Sequence, residues 1–213
     1  EEGAKAVLPI KLKVTTFNVL APCYDETVLN PQDSSQWRSR QEGVLQHIQT
    51  LDPDVLCLQE FFFQDHFMQL FNDTLGKLGW VADPPFRNRR QHPPIDRYVG
   101  RHQQRTGYKA DGLAIYYKEG TLELFDTRPL LFKDAGDRVA LLLVLRIKSV
   151  TTSPPPPHST FCAPLTQLIH IKTGHEFIIA NTHLTFPHHE FDIKMRGKQM
   201  EKILTFLHDY TNR

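Results

Sequence analysis

The sequence predicts a layered α/β (α+β) fold, and three observations lead there. Strand-length apolar runs alternate with amphipathic stretches in the first half, giving strand–helix–strand–helix. Several strand-like runs then follow in succession, which suits stacked layers better than a regular parallel α/β wheel. Three of the apolar runs also end abruptly in a hydrogen-bonding residue: Asn18, Glu60 and the pair Asn181 and His183. Strand ends in such a fold converge on one edge, where polar side chains meet water and substrate.

Taken in order, residues 11–18 read as a strand, with Leu12, Val14 and Thr16 alternating against Lys13, Thr15 and Phe17. Ser34 or Ser35 is placed to cap a helix running to about residue 51, with Trp37, Val44, Ile48 and Leu51 as its apolar stripe. Pro53 stops it, because proline lacks an amide proton and restrains its predecessor. A strand follows at 55–58. A second helix is predicted over 65–78, with Phe67, Leu70, Phe71, Leu75 and Leu78 on one side and Gly79 beyond its end. Strands are then predicted at 113–117, 122–125, 140–147, 165–171 and 176–180, the last two joined by a hairpin turn at 172–175. The final helix, 191–210, should turn Met200, Ile203, Leu204 and Leu207 inward.

Two stretches break the pattern. Residues 84–110 carry six arginines and Lys109 against one acid, Asp96, and read as a long basic loop. Residues 151–159, with four consecutive prolines at 154–157, read as a stiff connector. Residues 1–10 are read as an N-terminal extension without a signal-peptide pattern.

Composition narrows the function classes. A length of 213 residues suits one well-buried domain or most of a larger one. A net charge of +1 exerts no global pull on nucleic acid, so any such attraction must be local. Three widely spaced cysteines argue against a disulfide framework and for a reducing compartment, intracellular and either cytoplasmic or nuclear. No apolar run approaches the ~20 residues that a membrane-spanning helix needs.

The candidate chemistry is metal-assisted attack on a phosphate ester. Mg²⁺ takes oxygen ligands, keeps several waters and often needs one or two protein carboxylates, so Glu60 is the candidate metal ligand. The bland alternative is a surface Glu after a buried strand. Asn18 is placed to orient that carboxylate or a phosphate, although Asn at a strand end is also common turn chemistry. His183 is a candidate donor to a phosphoryl oxygen; the alternative is a satisfied, half-buried histidine. Asp111 either holds His183 in one tautomer, aids the metal or makes a turn. Arg105 in the basic loop, Asn181 and His188 are candidate phosphate or substrate contacts. The loop's alternative is a solvated insertion, and that of His188 with His189 is a solvated helix start.

Further motifs sharpen this reading. Phe17-Asn18-Val19-Leu20-Ala21 is followed by Tyr24, Trp37 and Arg40, then by the run from Leu51 to Glu60. Later come Lys109-Ala110-Asp111-Gly112-Leu113-Ala114-Ile115-Tyr116-Tyr117, Val139-Ala140-Leu141 and Ala180-Asn181-Thr182-His183-Leu184. Together these resemble the endonuclease/exonuclease/phosphatase superfamily, whose fold is that of deoxyribonuclease I, and within it the carbon-catabolite-repressor-type deadenylases and nocturnin. The likeness spans roughly residues 11–207. It implies a four-layer α/β/β/α sandwich, a Mg²⁺ (or Mn²⁺) site on Glu60 with Asn18 beside it, and His183 on the scissile phosphate. It also implies RNA hydrolysis of the deadenylase or exonuclease kind, or phosphatase action on a small nucleotide or inositol phospholipid.

The departures carry expectations too. The family's Gly-Asp-Phe-Asn-like and Ser-Asp-His-like motifs are not found: Gly136-Asp137-Arg138 lacks the Asn and precedes the His183 motif. Residues 11–213 are therefore read as the N-terminal two-thirds of such a domain, with a truncated second sheet and the C-terminal half as missing partner. On that reading these residues alone are inactive.

Overall fold

The computed structural model describes residues 11–77, 80–81, 98–134, 136–148 and 175–212. The predicted connector at 151–159, strand at 165–171, most of the hairpin turn and the arginines at 87, 89, 90 and 97 lie outside them.

The chain begins with β1 (Val14–Asn18), a short 3-10 turn (Pro22–Tyr24), α1 (Ser34–Leu51), β2 (Val55–Phe62) and α2 (Asp65–Lys77). It continues with β3 (Trp80–Val81), β4 (Tyr98–Gln104), β5 (Asp111–Lys118), β6 (Leu122–Leu131), β7 (Val139–Ile147), β8 (Glu176–Thr182) and α3 (Glu190–Thr211). One sheet runs β1-β2-β5-β4-β3 and the other β6-β7-β8.

Period-two alternation in the central strands builds the layers. Leu56 and Leu58 of β2, with Ala114 and Tyr116 of β5, face α1 and α2, where they meet Trp37, Leu45, Ile48, Phe67 and Phe71. Their neighbours Val55, Cys57, Leu113, Ile115 and Tyr117 face the second sheet and pack on Leu141, Leu143 and Leu145 of β7. The other face of β7, Ala140 and Leu142, packs with Phe132 against Ile203 of α3. These contacts are consistent with the order helix, sheet, sheet, helix.

Several expectations are corrected. Asp33, not Ser34 or Ser35, caps α1: its carboxylate accepts from the Ser35 amide at 3.0 Å. Residues 98–104 of the predicted basic loop form β4, antiparallel to β5. Gly100 allows that pairing, since a Cβ there would come within 2.6 Å of the Tyr116 ring. Strand β6 runs on to Leu131 through Pro129, which its edge position tolerates. On α3, Met200 and Leu204 are exposed, while Met195, Gln199 and Ile203 face inward. Gln199 holds its buried place by donating to Asp134 at 2.7 Å and Thr185 at 2.9 Å. Among the described residues, no helix is long and apolar enough to cross a membrane.

Candidate active site

Strand β2 delivers Glu60 through a bulge. Gln59 pairs with Leu113 and Phe61 with Gly112, so Glu60 is the extra residue, at φ +55°. A left-handed conformation at a non-glycine residue is strained, and such strain gathers where a side chain must be re-aimed. The bulge aims the carboxylate out of the ladder, towards the end of β1.

Asn18 meets it there. Its side-chain oxygen accepts from the Leu20 amide at 2.9 Å, closing a local turn, and its amide nitrogen donates to Glu60 Oε1 at 2.8 Å. Helix α1 pins the turn from behind: Arg40 donates to the Val19 carbonyl at 2.7 Å, and Gln41 to the same oxygen at 3.1 Å. Glu60 Oε2 is buried and has no partner among the described residues.

His183 follows β8 and completes the group. Its Nδ1 lies 3.8 Å from Glu60 Oε1 and 3.0 Å from an Arg138 guanidinium nitrogen. The first distance is too long for a hydrogen bond, and the ring is held neutral: burial first, then Arg138, push its pKa below the ordinary value, against the pull of Glu60 and Asp111. The pair is a close approach, not an ion pair. Glu60 and His183 side chains are 13% and 27% exposed, so both are within reach of a ligand.

Asp111 does something other than expected. Tyr24 donates to its Oδ1 at 2.7 Å, and Arg105 reaches the same oxygen at 3.1 Å. Arg105 spends its other terminal nitrogen on the Gly136 carbonyl at 2.8 Å. With Arg105 9% and Asp111 1% exposed, this is a buried ion pair tying β4, β5 and the loop before β7 together. Asp111 therefore does not hold His183, and Arg105 is not an open phosphate contact. Burial, then Asp111, pushes the Tyr24 hydroxyl well above its ordinary pKa, so it stays a donor.

Asn181 is also corrected. It is buried and donates to the carbonyls of Leu58 at 2.8 Å and Ala114 at 3.0 Å, while accepting from Gln59 at 2.7 Å. Its amide rivets the two sheets beneath the site. His188 is exposed and packs at a tilt against Phe186, with centroids 4.6 Å apart. It sits where α3 starts, beside His189, whose amide donates to Asp192 at 3.0 Å. Arg138 escaped sequence reasoning; its one signal was a charge at the threshold of a nine-residue apolar strand.

The donor set suits a hard cation. Glu60 carries an unpartnered, buried carboxylate oxygen beside a partly exposed His183, and a hard oxygen donor of this kind is what Mg²⁺ takes. A structural zinc site is not offered: among the described residues no three His, Cys, Asp or Glu side chains group to hold a metal.

Comparison with known proteins places the chain among relatives. Protein angel of Drosophila melanogaster is 28% identical over 93% of this chain and 48% of its own length. A crystal structure of ANGEL2, a 2′,3′-cyclic phosphatase with adenosine-2′,3′-vanadate bound, is 26% identical with a TM-score of 0.54, covering 83% of this chain and 42% of that one. The human nocturnin catalytic domain shares the fold at 19% identity and a TM-score of 0.58, over 92% of this chain and 58% of that one. The chain spans less than half the length of the curated relatives it matches first. The model of the endonuclease/exonuclease/phosphatase family matches residues 15–188, and the chain belongs to that family.

Proposed function

We propose that the protein is a Mg²⁺-dependent phosphoesterase that hydrolyses a phosphodiester of RNA. The observation that carries this reading is Glu60: an Asn18-anchored carboxylate on a strained bulge, with one buried oxygen unpartnered and a neutral His183 beside it. A bound Mg²⁺ supplies a Lewis acid for a phosphoryl oxygen. Asn18 keeps the Glu60 carboxylate in one orientation by donating to its Oε1. His183, partly exposed, offers a ring N–H to a second phosphoryl oxygen as negative charge grows there. Asp111 serves the structure on this reading, its Oδ1 accepting from both Tyr24 and Arg105.

A second reading has its own support. The likeness to ANGEL2 covers most of this chain, and a 2′,3′-cyclic phosphate is a phosphodiester on a single nucleotide. It needs only compact contacts near His183, whereas processive attack on a polynucleotide needs stacking aromatics and a basic track. The free cysteines Cys23 and Cys57 fit an intracellular setting.

The test is an assay of the purified protein with Mg²⁺ on two substrates: RNA ending in a 2′,3′-cyclic phosphate and RNA ending in a 3′-hydroxyl oligo(A) tail. Metal-dependent turnover of either supports the proposal, and their ratio decides between the readings. Equal turnover by wild type and Glu60→Gln would overturn it.

A further inference from the structure

Arg138 stands at the mouth of β7 with its guanidinium half-buried and its Nε buried without a partner among the described residues. Its backbone is fixed by the loop before it. The Phe132 amide bonds to the Arg138 carbonyl at 3.4 Å, and the Gly136 amide to Asp134 at 3.0 Å. From there one terminal nitrogen reaches His183 Nδ1 at 3.0 Å.

A guanidinium has donors and no acceptor. A contact of that length is a hydrogen bond only if Nδ1 carries a lone pair, which leaves the ring proton on Nε2. The competing acceptor is close: Glu60 Oε1 lies 3.8 Å from the same Nδ1 and would draw a proton onto it. Where a carboxylate sits behind a catalytic histidine it makes the ring more basic. A guanidinium in that place does the reverse.

We propose that Arg138 is a positioning residue that locks His183 in the Nε2–H tautomer, making it a dedicated hydrogen-bond donor and barring it from service as a general base. The catalytic meaning of this rests on the phosphoesterase reading above; the tautomer itself does not. With Arg138 in place, Nδ1 is occupied and Nε2 already holds its proton, so His183 cannot accept one from water. The lock also keeps His183 from pairing with Glu60, whose carboxylate stays available to a cation.

The experiment is a long-range ¹H–¹⁵N correlation spectrum of the ¹⁵N-histidine-labelled protein at neutral pH, with the His183 ring assigned by its loss in His183→Gln. In the wild type, Nε2 should be protonated and Nδ1 bare. Arg138→Met removes the donor at similar length and should move the proton to Nδ1, facing Glu60, while Arg138→Lys restores the wild-type pattern. Turnover on the better RNA substrate should fall about 10²-fold in Arg138→Met with KM little changed, and recover in Arg138→Lys. A protonated Nδ1 in the wild type overturns the proposal, whatever happens to the variants. So does a bare Nδ1 in a folded Arg138→Met protein. A wild type with the predicted tautomer but no phosphoesterase turnover would instead overturn the functional reading and leave the tautomer lock standing.

Discussion

Two carboxylates sit near the same end of the first sheet, and they are treated in opposite ways. Asp111 is sealed: its side chain is 1% exposed, with Tyr24 and Arg105 closing on it. Glu60 is half sealed: among the described residues Asn18 takes one oxygen, the other is buried and unpartnered, and His183 makes a 3.8 Å approach. Burying a charge is costly unless it is paired, so the first arrangement holds the structure together. The second leaves an acceptor uncompensated, which folding alone does not reward. On the proposed function, that unmet oxygen is the one offered to the cation.

The sharpest way to break this comparison is to remove the sealed acid. Asp111→Ala strands Arg105 in a buried site and should cost about 3–5 kcal/mol of stability, read by denaturant unfolding. The double variant Asp111→Leu with Arg105→Met should cost less than the single one. Glu60→Gln should do the opposite: melting at or above the wild-type temperature, with turnover down by ~10² or more. A stability loss like that of Asp111→Ala would mean that Glu60 is structural.

Smaller effects sharpen the boundary between support and chemistry. Asn181→Leu leaves the Leu58 and Ala114 carbonyls without that donor and should cost about 1–3 kcal/mol. Turnover per folded molecule should stay near wild type, as befits a rivet beneath the site. The smallest effect is a pH dependence. His183 has a folded pKa below its ordinary 6.5, so its neutral-form contribution is complete above 6.5. That contribution is lost as pH falls from 6.5 towards the folded value. The stability difference between wild type and His183→Gln should therefore shrink on acidification from about pH 7 to 5. A constant difference would contradict the lowered pKa.

What could be read in the sequence follows from the same physics. The runs that became β2, β5 and β7 were legible because both their faces are buried, so apolar residues continue without interruption. Strand β4 was hidden because Tyr98-Val99-Gly100-Arg101-His102-Gln103-Gln104 is polar towards its end. Its place depends on Gly100 fitting against Tyr116, which no local pattern reveals. The second half of β6 was hidden by Pro129 and by charges suited to an edge. At the site, Asn18, Glu60 and His183 were legible as polar residues closing apolar strands, and the fold brings them together. Their wiring was not. Asp111 could be expected to serve His183 only until the fold turned Arg105 onto Asp111 and brought Arg138 to His183, 45 residues away in sequence.

The central claim is that Glu60, not Asp111, receives a divalent cation. Mn²⁺ is a direct probe, because a bound ion broadens the resonances of nearby rings and its affinity can be titrated. The account predicts saturable Mn²⁺ broadening of the His183 ring in the wild type, retained in a folded Asp111→Asn protein and abolished in Glu60→Gln. Unchanged Mn²⁺ affinity in Glu60→Gln would contradict it.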